Sequence, residues 1–568
     1  MISALPKARN IAVVVVAMGV ALMAASCTFL ATSGRCSANA DCAARSPNAT
    51  CVDGACVMAS SADKDGGIVG DCKLNAECIA RLGEYSICEK TKLTCVKLLS
   101  TDCSKVYGDY KNDRAIYVGT MFKQGDTSGD LGASPDALAA IELAFDELKN
   151  ARGGLPDPAG GTSRPIVTVE CNQTQDAVRA ARHLTREVRV PAILGASTSY
   201  VTIQVATQAT IEDGVFLLSP YASSPGLSTL EDKNLVWRTY PSDAFQAAAI
   251  PKLVDEIVAS PNFTTPRAAR PGGTPTRVGV VFKDDTYGQG LRDIILAKLR
   301  FNGKSATQNQ ADGTLKLFSY PNTDDPAFAT YDFTEVATKV IATAQPFDIL
   351  MVLGTSESVA VLSYAESHWS GDALPYYILP DGVASSSKLS IAIDNIVTGG
   401  TVDSKNIRKR IRGTIINNFS GPVFDAFSLR FKGNAINGSN AYDAAYLLMY
   451  GMYAGGTKPI TGAGLAESMA KLQGPGPNVE VGANGLSTAI QALTNGAITL
   501  TGTAGNLTYD LKTGDVTAAT AAVWCLGVDA QGKARLVPQT GETYSVTDDV
   551  LSGSFPDKPT GPDPCSFR

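Results

Sequence analysis

The chain has 568 residues, and its 55 acidic residues outnumber its 49 lysines and arginines, which gives a formal net charge of −6 at pH 7. This length exceeds what one hydrophobic core usually organises, so we expect several domains. Because nucleic-acid binding requires a concentrated basic surface, the acidic balance argues against a nucleic-acid partner.

The first 26 residues are predicted to be a lipoprotein signal peptide. Lys7 and Arg9 precede the apolar run Ile11–Ala25, a charged start and hydrophobic middle that are typical of secretory signals and too short for a membrane span. The small residues Ala24-Ala25-Ser26 directly before Cys27 resemble a bacterial lipobox, in which leucine is usual where Ala24 stands. We therefore expect a lipid anchor on Cys27 and a protein of the cell envelope, facing the periplasm or the outer surface. The alternative is ordinary cleavage, with Cys27 as a disulfide partner.

Cysteines are concentrated in residues 27–104, which we expect to form a stalk of two small disulfide-stapled modules. With Cys27 set aside, 12 of the 13 cysteines remain, an even number that suits an oxidising compartment. Segments this short cannot bury a useful core without such bridges. Zinc binding is the alternative, but the C-x2-C spacing is absent and no histidine is near. Two similar quartets contain eight of the cysteines, Cys36, Cys42, Cys51 and Cys56, and then Cys72, Cys78, Cys88 and Cys95.

The four remaining cysteines are predicted to form two bridges in the main part of the chain. Cys103 precedes the first strand of a lobe and Cys171 follows the second strand of the same lobe, so we expect these two to pair. Cys525, on a late strand, is then expected to hold the C-terminal tail through Cys565.

Strands and helices alternate from Arg114 onwards. Apolar strands are followed by amphipathic helices, such as the one that Ser134-Pro135 opens and Gly153-Gly154 ends. This alternation predicts an α/β protein built from parallel, right-handed βαβ units. The predicted strands are Ala115–Gly119, Ile166–Val169, Ala192–Leu194, Val215–Leu218, Val278–Phe282, Ile349–Leu353 and Tyr376–Leu379, and later helices include Asn440–Tyr453.

We expect these units to form two Rossmann-like lobes joined by a multi-strand hinge, with the ligand between them. The first lobe is predicted to contain residues 105–240 and 385–504, including a returning strand at Thr414–Phe419. The second lobe is predicted to contain residues 241–384 and 505–537. Residues 538–568 are expected to form a loose tail, tied only through Cys565.

Two predicted strands end in turns that are rich in hydroxyl groups. Ala192–Leu194 runs into Gly195–Ser199, and Val215–Leu218 runs into Ser219–Ser223. Open α/β sheets bind ligands at the carboxyl ends of their strands. A helix that starts near Val201 leaves its first N–H groups unpaired beside the first turn, which favours an anion there. The sequence therefore predicts a small-molecule site with a position for a carboxylate.

The two turns resemble those of the type I periplasmic solute-binding proteins, in particular the Leu/Ile/Val-binding receptors of amino-acid ABC transporters. Further motifs follow in the family's order between Arg114 and Val537, and this fixed order is more specific than any single motif. The motifs are Trp237-Arg238-Thr239 with Ser242-Asp243, the turn Lys283–Gly290 (KDDTYGQG), Leu379–Val383 (LPDGV) where the family has G-P-E-G-V, and the closing hairpin in Gly505–Gly527.

The resemblance implies ligand contacts from the first lobe. Ser197, Thr198 and Ser199 would hold a ligand carboxylate with their hydroxyl and backbone N–H groups, or one of them would cap the following helix. Ala222 and Ser223 would offer a carbonyl and a hydroxyl to a ligand ammonium, or would form a simple β-turn.

The resemblance also implies contacts from the second lobe. Asp381, with Gly382 beside it, would pair with the ammonium, or it would cap the next helix. The family usually has glutamate at this position, and the shorter aspartate suits a bulkier ligand. Tyr287 would supply an aromatic wall or pack in the core, and Thr355 would be a further contact.

The sequence contains little that supports catalysis. Its two histidines, His183 and His368, are far apart, and the G-x-S-x-G and H-E-x-x-H motifs are absent. We expect no enzyme activity, no cofactor and no metal. The expected function is capture of a small polar ligand, an amino acid or similar molecule, for uptake with an ABC permease or for a signalling partner. The alternatives are a sensory or scavenging lipoprotein without a permease, and an interaction or adhesion lipoprotein with a vestigial cleft.

Overall fold

The computed structural model describes residues 49–52, 55–58, 71–125, 134–343, 345–384, 386–400, 402–416, 419–556 and 563–567. The chain divides into two compact units, one with Met1–Lys73 and Lys90–Cys95, the other with Leu74–Glu89 and Val96–Arg568. In the first unit, the strands Ala49–Val52 and Ala55–Met58 form an antiparallel pair. The expected signal peptide, Cys27, Cys36 and Cys42 lie outside the described residues.

The second unit contains a first sheet that is parallel except at one edge. Its apolar strands are buried on both faces, so neighbouring residues such as Ile193 and Leu194 belong to cores on opposite sides of the sheet. We call this sheet and the helices packed on it the first lobe. In spatial order the strands are Val236–Arg238, Phe216–Ser219, Ala192–Gly195, Ile116–Phe122, Ile166–Asn172 and the antiparallel Cys103–Tyr107.

A second sheet of the same unit begins as a parallel sheet and continues as an antiparallel one. Leu350 and Met351 alternate between its two cores in the same way. We call this sheet and its helices the second lobe. In spatial order the strands are Leu315–Pro321, Val278–Asp284, Ile349–Leu353, Tyr376–Leu379, Ile411–Ile416, Ala521–Val528, Thr543–Ser545 and Val550–Ser552, and Ala534–Val537 also pairs with Ala521–Val528.

Helices cover both sheets, and short strands lie at the periphery. In the part of the chain that the structure describes, the α-helices of at least six residues are Asn75–Leu82, Ser134–Arg152, Ala177–Arg182, Ser199–Val205, Ala244–Ala259, Thr286–Lys298, Ala306–Ala311, Thr334–Ile341, Val359–His368, Ser387–Thr398, Ser404–Arg410, Pro422–Arg430, Ala435–Ala454, Gly462–Ser468 and Leu486–Asn495. The short strands are Ser86–Glu89, Thr94–Lys97, Arg300–Phe301, Lys304–Ser305, Asn478–Glu480, Thr499–Thr501, Tyr509–Asp510 and Asp515–Val516. Within the described ranges, we find no helix with the length and apolar character required to cross a membrane.

The predicted placement of one strand in the first lobe is wrong. Instead of Thr414–Phe419 in the first lobe, the strand is Ile411–Ile416 in the second sheet, where it pairs with Tyr376–Leu379 and Ala521–Val528. The physical reason is that Ile411 and Ile415 complete a core of the second lobe. The chain is back in the first lobe at the helix Ala435–Ala454, whose buried residues pack with those of Ser134–Arg152.

Part of the segment predicted to lie in the second lobe belongs to the first. Tyr509 and Val516 are buried in a core of the first lobe, and the backbone N–H of Arg238 donates to the carbonyl of Gly514. The Arg238 guanidinium also donates to Asp515 over 2.7 Å. This ion pair and the tilted contact between the Tyr509 and Trp237 rings, whose centroids are 5.1 Å apart, hold the segment against the first sheet.

The prediction of a loose C-terminal tail is also wrong. Thr543–Ser545 and Val550–Ser552 extend the second sheet, and Phe555 and Phe567 are buried in its core. These aromatic side chains give the tail apolar surface to bury, which its many Gly, Pro and Asp residues obscure in the sequence. Both predicted disulfides, Cys525–Cys565 and Cys103–Cys171, are present.

Most of the second cysteine quartet's segment is integrated into the second unit and is not part of a separate stalk. Ile87 and Leu98 are buried in a core of the first lobe, and the Asn75 amide donates to the Tyr117 hydroxyl over 2.9 Å. Cys72, Cys78, Cys88 and Cys95 are all disulfide-bonded. The bridges and the two apolar residues together explain why so short a segment is ordered.

Candidate functional site

A cavity of about 250 Å³ lies where parallel strands of both lobes end. Ser197–Ser199 follows Ala192–Gly195 in the first lobe, and Thr355 and Asp381 follow two strands of the second lobe. Eight of the nine residues predicted to bind ligand line this cavity, namely Ser197, Thr198, Ser199, Ser223, Tyr287, Thr355, Asp381 and Gly382.

Ala222 is the predicted contact that does not line the cavity. The residue is fully buried, and its carbonyl accepts a hydrogen bond of 3.4 Å from the Arg238 guanidinium. Arg238 also donates to the carbonyl of Ser224 over 2.8 Å. Arg238 therefore stabilises the second turn, and its guanidinium already donates to the Ala222 carbonyl that we predicted to face a ligand.

The hydroxyl groups of the first turn have structural partners as well as access to the cavity. The Ser197 N–H donates to Gln173 over 2.9 Å, and the Thr198 side chain caps the helix by accepting from the N–H of Val201. Ser199 accepts from the N–H groups of Ser223 and Ser224, at 3.2 and 3.0 Å. Ser199 thus ties the two predicted turns together, and its own hydroxyl proton is available to another acceptor.

Asp381 lies at the opposite wall, held by two tyrosines. Its carboxylate accepts from the hydroxyl of Tyr240 over 2.7 Å and from that of Tyr287 over 2.9 Å. Its backbone N–H donates to Gln246 over 3.1 Å, and the residue is only 2% exposed. Burial raises the pKa of Asp381, although its hydrogen bonds oppose that rise.

Asp243 places a second carboxylate near Asp381. It is fully buried, and one of its oxygens accepts from Gln246 over 2.6 Å. The other oxygen, Oδ2, has no hydrogen-bond partner among the described residues. Burial, together with the charge of Asp381, raises the pKa of Asp243 well above its ordinary value. Asp381 lines the cavity whereas Asp243 does not, and a cation bound beside Asp381 would favour the ionised form of these carboxyl groups.

A second charged cluster lies on the second-lobe wall around Lys283. The Lys283 ammonium is 2.7 Å from Asp324, 3.6 Å from Asp285 and 3.8 Å from Glu357. Burial by itself would lower the pKa of Lys283, but the three carboxylates raise it, so the ammonium stays charged. Burial raises the pKa of Asp285 to about 6 against the influence of Lys283.

Asp324 connects this cluster to the first lobe. Burial by itself would raise its pKa, but the charge of Lys283 holds the pKa below its ordinary value, with smaller contributions from Lys123 and the Thr198 side chain. Lys123 and Thr198 both belong to the first lobe and line the same cavity. The lobes also meet where the Ser224 hydroxyl donates to the carbonyl of Thr286 over 2.7 Å.

Several residues that line the cavity were not predicted from the sequence. Lys283 and Asp285 lie inside the quoted turn, where they were treated as part of a backbone motif. Asp324 and Glu357 follow strands of the second sheet, and this position after a strand was the signal that could have identified them. Further lining residues that were not predicted are Lys123, Tyr240, Ala329, Phe333 and Lys388.

Comparison with known proteins agrees with this architecture. The family model for the receptor family ligand binding region matches residues 136–257. A chemotactic signal transduction system substrate-binding protein, BasB of Halobacterium salinarum, is 26% identical over 374 residues, which cover 63% of this chain and 75% of that protein.

Two solved structures share the fold. A leucine-binding protein of Thermotoga maritima superposes with a TM-score of 0.50 and 16% identity, covering 76% of this chain and 99% of that chain. A possible leucine/isoleucine/valine-binding protein of Rhodopirellula baltica superposes with a TM-score of 0.50 and 15% identity, covering 75% and 96%. These similarities confirm the resemblance that the sequence motifs indicated, and they establish the fold.

Proposed function

We propose that this protein, which has the fold of the type I periplasmic solute-binding proteins, is a lipid-anchored solute receptor that captures a small polar ligand, an amino acid or a similar zwitterion. One observation carries the proposal: eight predicted ligand-binding residues, contributed by both lobes, line a single cavity. Its volume of about 250 Å³ lies just below the roughly 300–1,000 Å³ of sites for drug-sized molecules. A small metabolite therefore suits the cavity better than a large ligand does.

The two ends of a zwitterion find complementary groups in this cavity. We place the carboxylate at Ser197–Ser199, where the Ser199 hydroxyl can donate to it. We place the ammonium near Asp381, where the Tyr240 oxygen can accept a hydrogen bond while its own proton goes to Asp381. The carboxylate of Asp381 then compensates the ammonium charge, which matters because an unpaired charge is costly in a buried site.

Ligand capture would be coupled to movement of the lobes. The segments that connect the lobes can act as hinges, and a ligand bridging Ser197–Ser199 and Asp381 would favour the closed arrangement. The hydrogen bond from the Ser224 hydroxyl to the Thr286 carbonyl already joins the two lobes in this structure. A closed, ligand-bound form is the state that we expect a partner protein to recognise.

Two partners are compatible with this mechanism. Delivery to an ABC permease is our first candidate, as the resemblance to Leu/Ile/Val-binding receptors implies. A signalling partner is the second, and it is favoured by the relative that is named as a chemotactic substrate-binding protein. Cross-linking in membranes with and without ligand separates the two, since either a permease or a sensory receptor is recovered in a ligand-dependent manner. Recovery of neither contradicts both.

The proposed anchor is testable by itself. We expect mass spectrometry of the mature protein to find a diacylglyceryl group on an N-terminal Cys27, and Cys27→Ser to release the protein from membranes. An unmodified N-terminus at another residue, with the chain in the soluble fraction, would show that the anchor assignment is wrong while leaving the ligand site untouched.

A thermal-shift screen of the full chain tests the ligand-binding function. We expect at least one amino acid, amide or short organic acid to raise the melting temperature, since a ligand at 100 times its Kd stabilises the folded state by about 2.7 kcal/mol. Asp381→Asn should weaken a zwitterionic ligand strongly, whereas Asp284→Asn, at an exposed residue outside the cavity lining, should not. A screen without any stabilising compound would contradict the proposal and favour an adhesion protein with a vestigial cleft.

A further inference from the structure

A second cavity, of about 600 Å³, lies where the chain passes between the two lobes. Segments that connect the lobes form part of its wall, and strands from the C-terminal end of the chain form another part. Residues 504–507, 516–520 and 543–547 line it, together with Pro241, Phe245 and Ser552. We call this space the hinge cavity.

Three of the lining segments connect the lobes. Pro241 follows a strand of the first sheet and precedes the helix Ala244–Ala259, which packs in a core of the second lobe. Ala504 is buried in a second-lobe core, whereas Leu507 is buried in a first-lobe core. Residues 516–520 lead from that first-lobe core into the second sheet. A molecule bound in the hinge cavity therefore contacts segments on which movement of the lobes depends.

The C-terminal wall of the hinge cavity offers hydroxyl groups to a ligand. Thr543 and Ser552 lie opposite each other in two paired strands beyond Val537, where the resemblance to the type I solute-binding proteins ends. Their side chains, and those of Thr520 and Thr547, are exposed and have no hydrogen-bond partner among the described residues. Each of these hydroxyl groups can both donate and accept a hydrogen bond.

The lining of the hinge cavity is uncharged. Among the described residues that form it, none has a carboxylate, ammonium, guanidinium or imidazole group, and nine of the 18 have a hydroxyl or a side-chain amide. The cavity at the ends of the parallel strands differs, since seven charged side chains line it. An ion in the hinge cavity would lose water without meeting an opposite charge, which is unfavourable.

A purely apolar ligand does not suit this lining either, because it would displace water from the hydroxyl groups without replacing the hydrogen bonds. Phe245 is half-buried in the first turn of its helix, so part of its ring is accessible to a ligand. The face of an aromatic ring carries partial negative charge and attracts C–H groups. Hydroxyl groups beside an aromatic face match a sugar, which has hydroxyl groups at its edges and C–H groups on its faces.

We propose that the hinge cavity is a second binding site, which takes a neutral saccharide the size of a disaccharide. Its volume lies within the roughly 300–1,000 Å³ that is usual for such sites. Phe245 packs against one face of the sugar, and the hydroxyl groups of Thr520, Thr543, Thr547 and Ser552 exchange hydrogen bonds with those of the sugar. This site does not depend on a ligand at the ends of the parallel strands, so its test and that of the proposed function have separate outcomes.

Titration calorimetry of the full chain with maltose, cellobiose, lactose and trehalose tests the chemistry of the site. We expect at least one of them to bind with a Kd below about 1 mM. The monophosphate of that disaccharide should bind about tenfold more weakly or less, because the lining offers no cation to its phosphate. Failure of all four to bind, or equal binding of the phosphorylated form, would overturn the proposal.

Variants test the location of the site. Phe245→Ala removes the aromatic face and Ala519→Trp fills part of the hinge cavity, so each should weaken saccharide binding about tenfold or more. Phe328→Ala is the matched control, because Phe328 is 45% exposed and lies outside this lining. Asp381→Asn should also leave the saccharide Kd unchanged, since Asp381 lines the other cavity.

The melting temperature of each variant without saccharide shows whether it is folded, and two substitutions at separate positions keep the test decisive if one of them fails to fold. Unchanged binding in a folded Phe245→Ala or Ala519→Trp variant would contradict the assignment to the hinge cavity. Loss of saccharide binding in Asp381→Asn would place the sugar at the ends of the parallel strands and would overturn the second site.

Discussion

Replacement of Lys283 by methionine should destabilise the second lobe strongly. The substitution keeps an unbranched side chain of similar length but removes the ammonium from between Asp324, Asp285 and Glu357. Removing one partner of a buried ion pair typically costs about 3–5 kcal/mol, because the remaining charge is left buried without compensation. We expect a loss in this range at pH 7. The loss should shrink as the pH falls towards 5, since protonation of the carboxylates removes the uncompensated charges.

Urea unfolding followed by tryptophan fluorescence measures this loss, because Trp237 and Trp524 are buried in different lobes. Lys304→Met is the matched control: Lys304 and Asp312 are 2.6 Å apart but about half exposed, and such pairs contribute about 0–1 kcal/mol. The double variant Lys283→Met with Asp324→Asn should lose less unfolding free energy than Lys283→Met alone. A loss for Lys283→Met no larger than that of the control, or one that does not depend on pH, would refute this account of the cluster.

Three further changes test other parts of the structure. Burial raises the pKa of Asp443 to about 7 from an ordinary 3.8, so its contribution to stability is complete below pH 4 and is lost as the pH rises through 7. This pKa difference corresponds to about 4 kcal/mol of unfolding free energy. Asp443→Asn should therefore flatten the decline in unfolding free energy between pH 4 and 8. An equally steep decline in the variant would show that Asp443 is not its cause. Gly354→Ala should lower the free energy of unfolding by more than about 1–3 kcal/mol, because the new Cβ would lie 1.8 Å from the Tyr320 hydroxyl. In the same urea assay, Gly272→Ala should be nearly neutral, because a Cβ at Gly272 meets nothing within 4 Å. Replacing Cys525 and Cys565 with serine opens a loop of 40 residues and should lower the free energy of unfolding by about 4 kcal/mol, because the unfolded chain gains entropy. Retention of the full unfolding free energy would show that burial of Phe555 and Phe567 alone holds the tail.

The elements that the sequence predicted correctly are those whose signal is local. The strands Ile349–Leu353 and Tyr376–Leu379 have the predicted bounds, because a short apolar run between turns is sufficient to define a buried strand. The hydroxyl-rich turns could likewise be read from consecutive residues. Their convergence on one cavity follows from the rule that parallel strands present their carboxyl ends at the same edge.

The errors concern partners that are distant in the sequence. Nothing in the residues of Ile411–Ile416 indicates which of two sheets they join, since the same apolar pattern fits both. The tail was misjudged in a similar way, because its composition is that of a loop and its order depends on burial of Phe555 and Phe567 against strands formed earlier in the chain. Assignment of such segments requires knowledge of which cores remain incomplete.

The charged wall of the cavity shows why a fold shared with leucine-binding proteins does not determine the ligand. Lys283 and Asp324 are separated by 41 residues, and Tyr240 and Asp381 by 141. Each of these pairs is compatible with the fold, yet neither is required by it, because the strands would form with other side chains at their ends. The ammonium of Lys283 is already compensated by its own neighbours, so a ligand has no need to neutralise it.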